Sequence, residues 1–117
     1  MIKEKKIAIV GAGGHARVVT SIINAIGYYE IIGVFDESSE FVGEFIGNTQ
    51  IVGDTSDLIS MKKLEDIYLG LAFGDNLKRA TWFDELKKHR FKLPVLIHPS
   101  SIIDPSVVLD EGRVVCL

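Results

Sequence analysis

Gly11-Ala-Gly-Gly-His-Ala16 stands between an apolar run, Lys6-Ile-Ala-Ile-Val10, and a stretch of helical periodicity that begins Arg17-Val-Val-Thr-Ser-Ile-Ile23. A buried strand that ends in glycines and passes at once into a helix leaves backbone N–H groups at the positive end of a helix dipole. A phosphate or diphosphate binds well in such a place. Gly11-x-Gly13-x-x-Ala16 fits the relaxed dinucleotide pattern in which alanine takes the third glycine position. The alternative is a tight turn with only a structural role. Gly14 and His15 complete the turn, and His15 reads either as a hydrogen-bonding partner for a ligand phosphate or sugar hydroxyl or as a half-exposed loop residue.

Two further groups have suitable chemistry. Asp36 ends the second apolar run about 20 residues beyond the glycine turn, where dinucleotide-binding domains place a ribose-binding acid. The same carboxylate would suit a ribose or uracil of a nucleotide sugar, or it caps a turn. Gly74-Asp75-Asn76 precedes Leu77-Lys-Arg79 and reads as a helix-capping turn that can also touch a ligand. Arg79 is a candidate anion contact, or else a solvated surface arginine. His98-Pro99-Ser100 carries no neighbouring acid to orient the ring and is expected to pack at a junction. No catalytic residue and no metal site is assigned.

The elements that must position these groups alternate. Strands are expected at 6–10, 30–35, about 50–52, 66–73 and 94–97, and helices at about 16–25, 54–61 and 77–89. Gly27 would stop the first helix, and Glu37–Gly47 reads as a loop. Leu77, Ala80, Phe83 and Leu86 form an apolar stripe on the last helix, flanked by Trp82. Lys87, Lys88 and His89 close that helix, where cations suit the dipole. Short strand-to-helix turns of this kind indicate a doubly wound parallel α/β sheet. Ligands in such sheets sit at the carboxyl ends of the strands, which is where 11–15, 36–38 and 74–76 fall.

With 117 residues the chain can hold one full domain and little more. A net charge of −3 with no large basic cluster gives no support for an electrostatic footprint for nucleic acid. The single cysteine, Cys116, excludes an internal disulfide and fits a reducing, cytoplasmic setting. No stretch approaches a membrane span or a signal sequence. After His98-Pro99 the pattern changes. Ile103, Leu109 and Val115 recur every six residues, each preceded by an aliphatic (Ile102, Val108, Val114), and Asp104 and Asp110 follow the first two. This resembles the hexapeptide repeat of a left-handed parallel β-helix, in which one coil takes three hexads and needs neighbours to bury its face.

Together, Ile9-Val-Gly-Ala-Gly-Gly-His-Ala-Arg-Val-Val19, Ile32-Gly-Val-Phe-Asp36, Ile51-Val-Gly53, Leu71-Ala-Phe-Gly-Asp-Asn76 with Arg79, and Ile97-His-Pro-Ser100 resemble the sugar O- and N-acetyltransferases. That family includes the sialic acid O-acetyltransferases and the acetyltransferases of UDP-4-amino-sugars, and the likeness spans almost the whole chain. The resemblance implies a Rossmann-like domain over residues 1–97 that holds a nucleotide sugar, a UDP-amino-sugar above all. The bound nucleotide would lie against Gly11, Gly13, Gly14, His15, Asp36, Gly74, Asp75, Asn76 and Arg79. It also implies a left-handed β-helix, begun at 98–117, that in full length forms a homotrimer, binds acetyl-CoA and supplies a catalytic histidine as general base.

The chain departs from that pattern by ending within the first coil, with Arg113 where a small residue is usual. The expectation is therefore a nucleotide-sugar-binding fragment, shortened by design or in its gene and inactive alone. Two rivals stand beside it. One is an NAD(P)-binding domain of a dehydrogenase or redox sensor, which would use the same glycines and Asp36. The other is an assembly or regulatory domain with a vestigial pocket.

Overall fold

Strand β1 (Lys5–Val10) runs through the middle of the molecule, and Ile7, Ala8, Ile9 and Val10 are wholly buried. An apolar strand without polar alternation is stable only where both faces are covered. Successive side chains point to opposite faces, so one strand feeds two cores. Ile7 and Ile9 pack with Ala16, Val19, Ile22 and Ile23 of helix α1 (His15–Ile26). Ala8 and Val10 pack on the other side with Leu58 of α2 (Thr55–Lys62) and Leu86 of α3 (Asn76–Lys88). The result is a three-layer α/β/α arrangement. The structure is a computed structural model that describes residues 5–62, 66–101, 106 and 111–115.

Strand β2 (Tyr29–Asp36) and strand β5 (Tyr68–Leu71) flank β1, both in parallel. Strand β4 (Thr49–Asp54) pairs in parallel with β2, and β3 (Phe45–Ile46) adds an antiparallel edge, giving the order β3-β4-β2-β1-β5. The sheet is thus mainly parallel, as the alternation of elements predicts. The carboxyl ends of β2, β1 and β5 share one edge; the chain passes from β1 through α1 to β2 on one side, and returns from β4 through α2 to β5 on the other. That is the topological switch point of an open α/β sheet.

Boundaries follow local chemistry. Gly27 ends α1 in the left-handed conformation with φ +75°, and its N–H bonds the Ile23 carbonyl at 3.2 Å. Helix α3 ends in a Schellman-type cap. Arg90 N–H bonds the Lys87 carbonyl at 2.9 Å, and Phe91 N–H bonds the Leu86 carbonyl at 3.3 Å. Arg90 takes the left-handed position (φ +66°) that glycine usually fills, and buried Phe91 and Leu86 join the same core.

Three expectations need correction. The 37–47 segment is not all loop, because β3 forms a hairpin with β4 through Gly47-Asn48; a two-residue strand is too short to show periodicity. Residues 94–97 do not add a strand to the main sheet. The chain touches that sheet at the single bridge Tyr68–Lys92, and Pro94, which lacks an N–H, interrupts any continued ladder. Instead β6 (Leu96–Ile97) pairs in parallel with β7 (Val114–Val115). The stripe on α3 is not a core stripe: Leu77 is 78% exposed and Ala80 is exposed, whereas Leu86 is fully buried. Strand β5 is only four residues long, and the first turn of α3 stands clear of the sheet.

Ile102, Ile103, Asp104, Val108, Leu109, Asp110 and Cys116 lie outside the described residues. Among the described residues, no helix is long and apolar enough to cross a membrane.

Candidate nucleotide-binding crevice

The loop after β1 is built by backbone bonds to both neighbouring strands. Gly11 N–H bonds the Phe35 carbonyl at 2.7 Å, and Ala72 N–H bonds the Val10 carbonyl at 2.8 Å. Gly11 has φ +112°, and a Cβ there would stand 3.1 Å from the Ala72 carbonyl oxygen and 3.2 Å from Phe73 Cε1. Both the conformation and the closeness of β5's end require glycine at this position. At Gly13 and Gly14 an added Cβ would meet nothing within 4 Å. These two glycines therefore leave open space over the loop.

Helix α1 begins at His15 with no side-chain cap and no acidic residue in its first turn. Ala16 N–H turns back onto the Gly13 carbonyl at 3.0 Å. The N–H groups ahead of it belong to the unsatisfied set of a helix start. The other two helices are closed by their own carboxylates. In α2, Asp57 N–H bonds Asp54 Oδ1 at 3.0 Å and Asp54 N–H bonds Asp57 Oδ2 at 2.9 Å. In α3, Asp75 Oδ1 accepts from Leu77 N–H at 2.8 Å and Lys78 N–H at 3.0 Å. The helix start left open is the one behind the glycine loop. His15 is half-buried at its mouth.

Asp36 lies beside this loop and holds it. Its Oδ1 accepts from Ala12 N–H at 3.0 Å, and its Oδ2 lies 3.4 Å from Ser38 N–H. The acid expected to meet a ligand thus first fixes the loop, with lone pairs remaining toward solvent.

The residues after β5 divide into two groups. Gly74 and Asp75 follow the carboxyl end of β5, Asp75 as the N-cap of α3. Asn76 and Arg79 line a separate cleft of about 560 Å³ between α3 and residues 111–113, together with Phe83, Asp84, Gly112 and Arg113. No glycine-loop residue lines this cleft. His98 keeps to its junction, where Nδ1 lies 2.6 Å from Ser100 Oγ and 3.1 Å from Ser100 N.

Three residues beside the glycine loop received no individual role from the sequence: Glu37, Phe73 and Lys78. Lys78 Nζ pairs with Glu37 Oε1 at 2.9 Å and lies 5.9 Å from the Phe73 ring centroid. The hydrogen bond and charge of Glu37 raise the Lys78 pKa above its ordinary value, and Asp75 and Asp36 add to this. The usable signal was position, since Glu37 follows the end of one flanking strand and Lys78 opens the helix after the other.

Residues 6–86 match the protein family described as the PglD N-terminal domain. The chain is 32% identical over 113 residues to UDP-N-acetylbacillosamine N-acetyltransferase of Bacillus subtilis (strain 168), a match that covers 95% of this chain and 51% of that protein. Among solved structures it resembles a mutant of perosamine N-acetyltransferase from Caulobacter crescentus in complex with CoA and GDP-perosamine. That likeness has a TM-score of 0.83 and 32% identity, and it covers 94% of this chain and 50% of the other. It also resembles the acetyltransferase domain of PglB from Neisseria gonorrhoeae FA1090 in complex with acetyl coenzyme A. Here the TM-score is 0.77 with 30% identity, over 94% of this chain and 52% of that one. The chain spans about half the length of these relatives.

Proposed function

The chain belongs to the PglD N-terminal domain family, and from that premise we propose that it is the nucleotide-sugar-binding part of a sugar N-acetyltransferase. The observation that carries this reading is the open start of α1. It stands behind a glycine loop at the switch point of the sheet, while α2 and α3 are capped by their own aspartates. In this reading the ligand's diphosphate accepts hydrogen bonds from the N–H groups of Gly13, Gly14 and His15, where the helix dipole favours negative charge. Gly11 lets the loop approach β5. Asp36 fixes the loop through Ala12 and offers its remaining lone pairs to a ribose or base. The His15 imidazole reaches a phosphate or sugar hydroxyl. Gly74 and Asp75 border the sugar side, and Asn76 and Arg79, in α3's first turn, line the neighbouring cleft.

The ligand class is a nucleoside diphosphate amino sugar. The Bacillus relative's name points to a UDP-sugar and the Caulobacter structure contains GDP-perosamine, and we favour the UDP form. Acetyl-CoA is the acetyl donor in this reading, as the CoA and acetyl-CoA complexes of the relatives suggest. We assign no catalytic residue within these 117 residues. A Rossmann-like unit at 1–97 and the start of a β-helix at 98–117 complete the proposal. The register of β6 against β7 supports it: Leu96 pairs with Val114 and Ile97 with Val115, an 18-residue step (114 − 96) that equals three hexads. Trimerisation and acetyl-CoA binding are assigned to that solenoid.

Calorimetric titration with UDP, GDP, a UDP-amino-sugar, CMP-sialic acid and NADH tests the reading. Binding of UDP and its amino sugar, with no response to NADH, is expected. Binding of NADH alone would replace it with a redox-cofactor domain.

A further inference from the structure

The order of the sheet forces a contact between residues 37 and 78 to cross the end of β1. Glu37 follows β2, Lys78 lies in the first turn of α3 after β5, and β1 runs between those two strands. The 2.9 Å ion pair of Lys78 Nζ with Glu37 Oε1 closes this span. Phe73 connects it to the loop below. Its ring centroid lies 5.9 Å from Lys78 Nζ, and its Cε1 lies 3.2 Å from where a Cβ on Gly11 would stand. The two side chains are 49% and 37% exposed, so solvent and ligand reach both. An ion pair of this kind is weak and screened by salt, and it yields readily to a better anion. Asp36 and Asp75 are near Lys78, but each already accepts backbone N–H groups. Glu37 is the carboxylate that holds the ammonium directly.

We propose that Lys78 is the phosphate-side cation of the crevice, paired with Glu37 while the crevice is empty and handed to the ligand's diphosphate on binding. This inference rests on the glycine loop being a nucleotide site. Glu37 then sets a charge threshold. A diphosphate presents several charged oxygens to Lys78 and displaces one carboxylate, whereas an uncharged nucleoside does not. A lysine suits the task because its compact charge sits on a flexible stem and can swing between two partners. The pair does no chemistry on the sugar. It selects the ligand by the charge of its linking group.

The test is titration of the chain and its Lys78→Met and Glu37→Gln variants with UDP and with uridine, with a thermal melt of each variant. The expected result is about tenfold weaker UDP binding by Lys78→Met and about threefold tighter binding by Glu37→Gln, with uridine unchanged by either. If wild type binds UDP and neither variant alters the affinity, this proposal is overturned while the glycine-loop reading stands. Weaker UDP binding by Glu37→Gln also overturns it, since the pair would then be architectural. If wild type binds no nucleotide, both readings fall together. Glu37 is exposed, so its variant keeps the test decisive even if Lys78→Met fails to fold.

Discussion

At the scale of single residues, the crevice depends on a carboxylate that does two jobs. Asp36 Oδ1 accepts from Ala12 N–H at 3.0 Å, and the same group faces the site proposed for a ribose or base. Two substitutions separate these roles. Asp36→Ala removes the acceptor and leaves a partly buried N–H without a partner. It is expected to cost about 1–2 kcal/mol in urea denaturation and to weaken UDP binding. Asp36→Asn keeps an oxygen for Ala12 and should recover most of that stability. If the asparagine variant folds as wild type yet binds UDP poorly, the lost charge acted on the ligand. If affinity recovers along with stability, Asp36 serves the loop alone.

At the scale of elements, each helix start has its own solution, and the differences carry the functional reading. In α3 the cap is Asp75, whose Oδ1 takes two backbone N–H groups. Asp75→Ala should therefore destabilise the chain by about 1 kcal/mol, read as a lower urea midpoint at unchanged slope. The parallel strands of the main sheet and the helices were legible because their signals are local: an unbroken apolar run for β1, helical spacing for α1, glycine at 27, aspartates before α2 and α3. The glycine loop, Asp36 and the Asp75 cap were legible for the same reason. What was hidden depends on what lies opposite. Leu77 and Ala80 look like core residues on a helical wheel, but the short β5 gives α3's first turn nothing to pack on. Asn76 and Arg79 share that turn with Lys78, and the sequence could not tell which of them faces the glycine loop and which faces the cleft beside residues 111–113.

At the scale of the whole molecule, the open matter is where one folding unit ends. Among the described residues, the buried members of both core clusters of the α/β/α body extend no further than Leu96. Residues 111–115 attach from outside. Gly112 N–H bonds the Leu93 carbonyl and Arg113's carbonyl accepts from Leu96 N–H, both at 2.8 Å, while Lys87 reaches Glu111 at 2.7 Å on the surface. Gly112 (φ +79°) lies against Phe83, and a Cβ there would come within 2.8 Å of the ring. The β6–β7 pairing, two further backbone hydrogen bonds at about 1 kcal/mol each and a surface ion pair worth little set the scale of this docking. A chain ended at Ser101 should then keep its helical circular dichroism and a single cooperative melt. It should lose only about 1–3 kcal/mol and bind UDP within about twofold of the full chain. Gly112→Ala, which undocks the segment without deleting it, should reproduce that loss. A shortened chain that no longer melts cooperatively would instead make 98–117 part of the first domain's own core, and the 18-residue step from β6 to β7 would then belong to that domain and not to the opening coil of a solenoid.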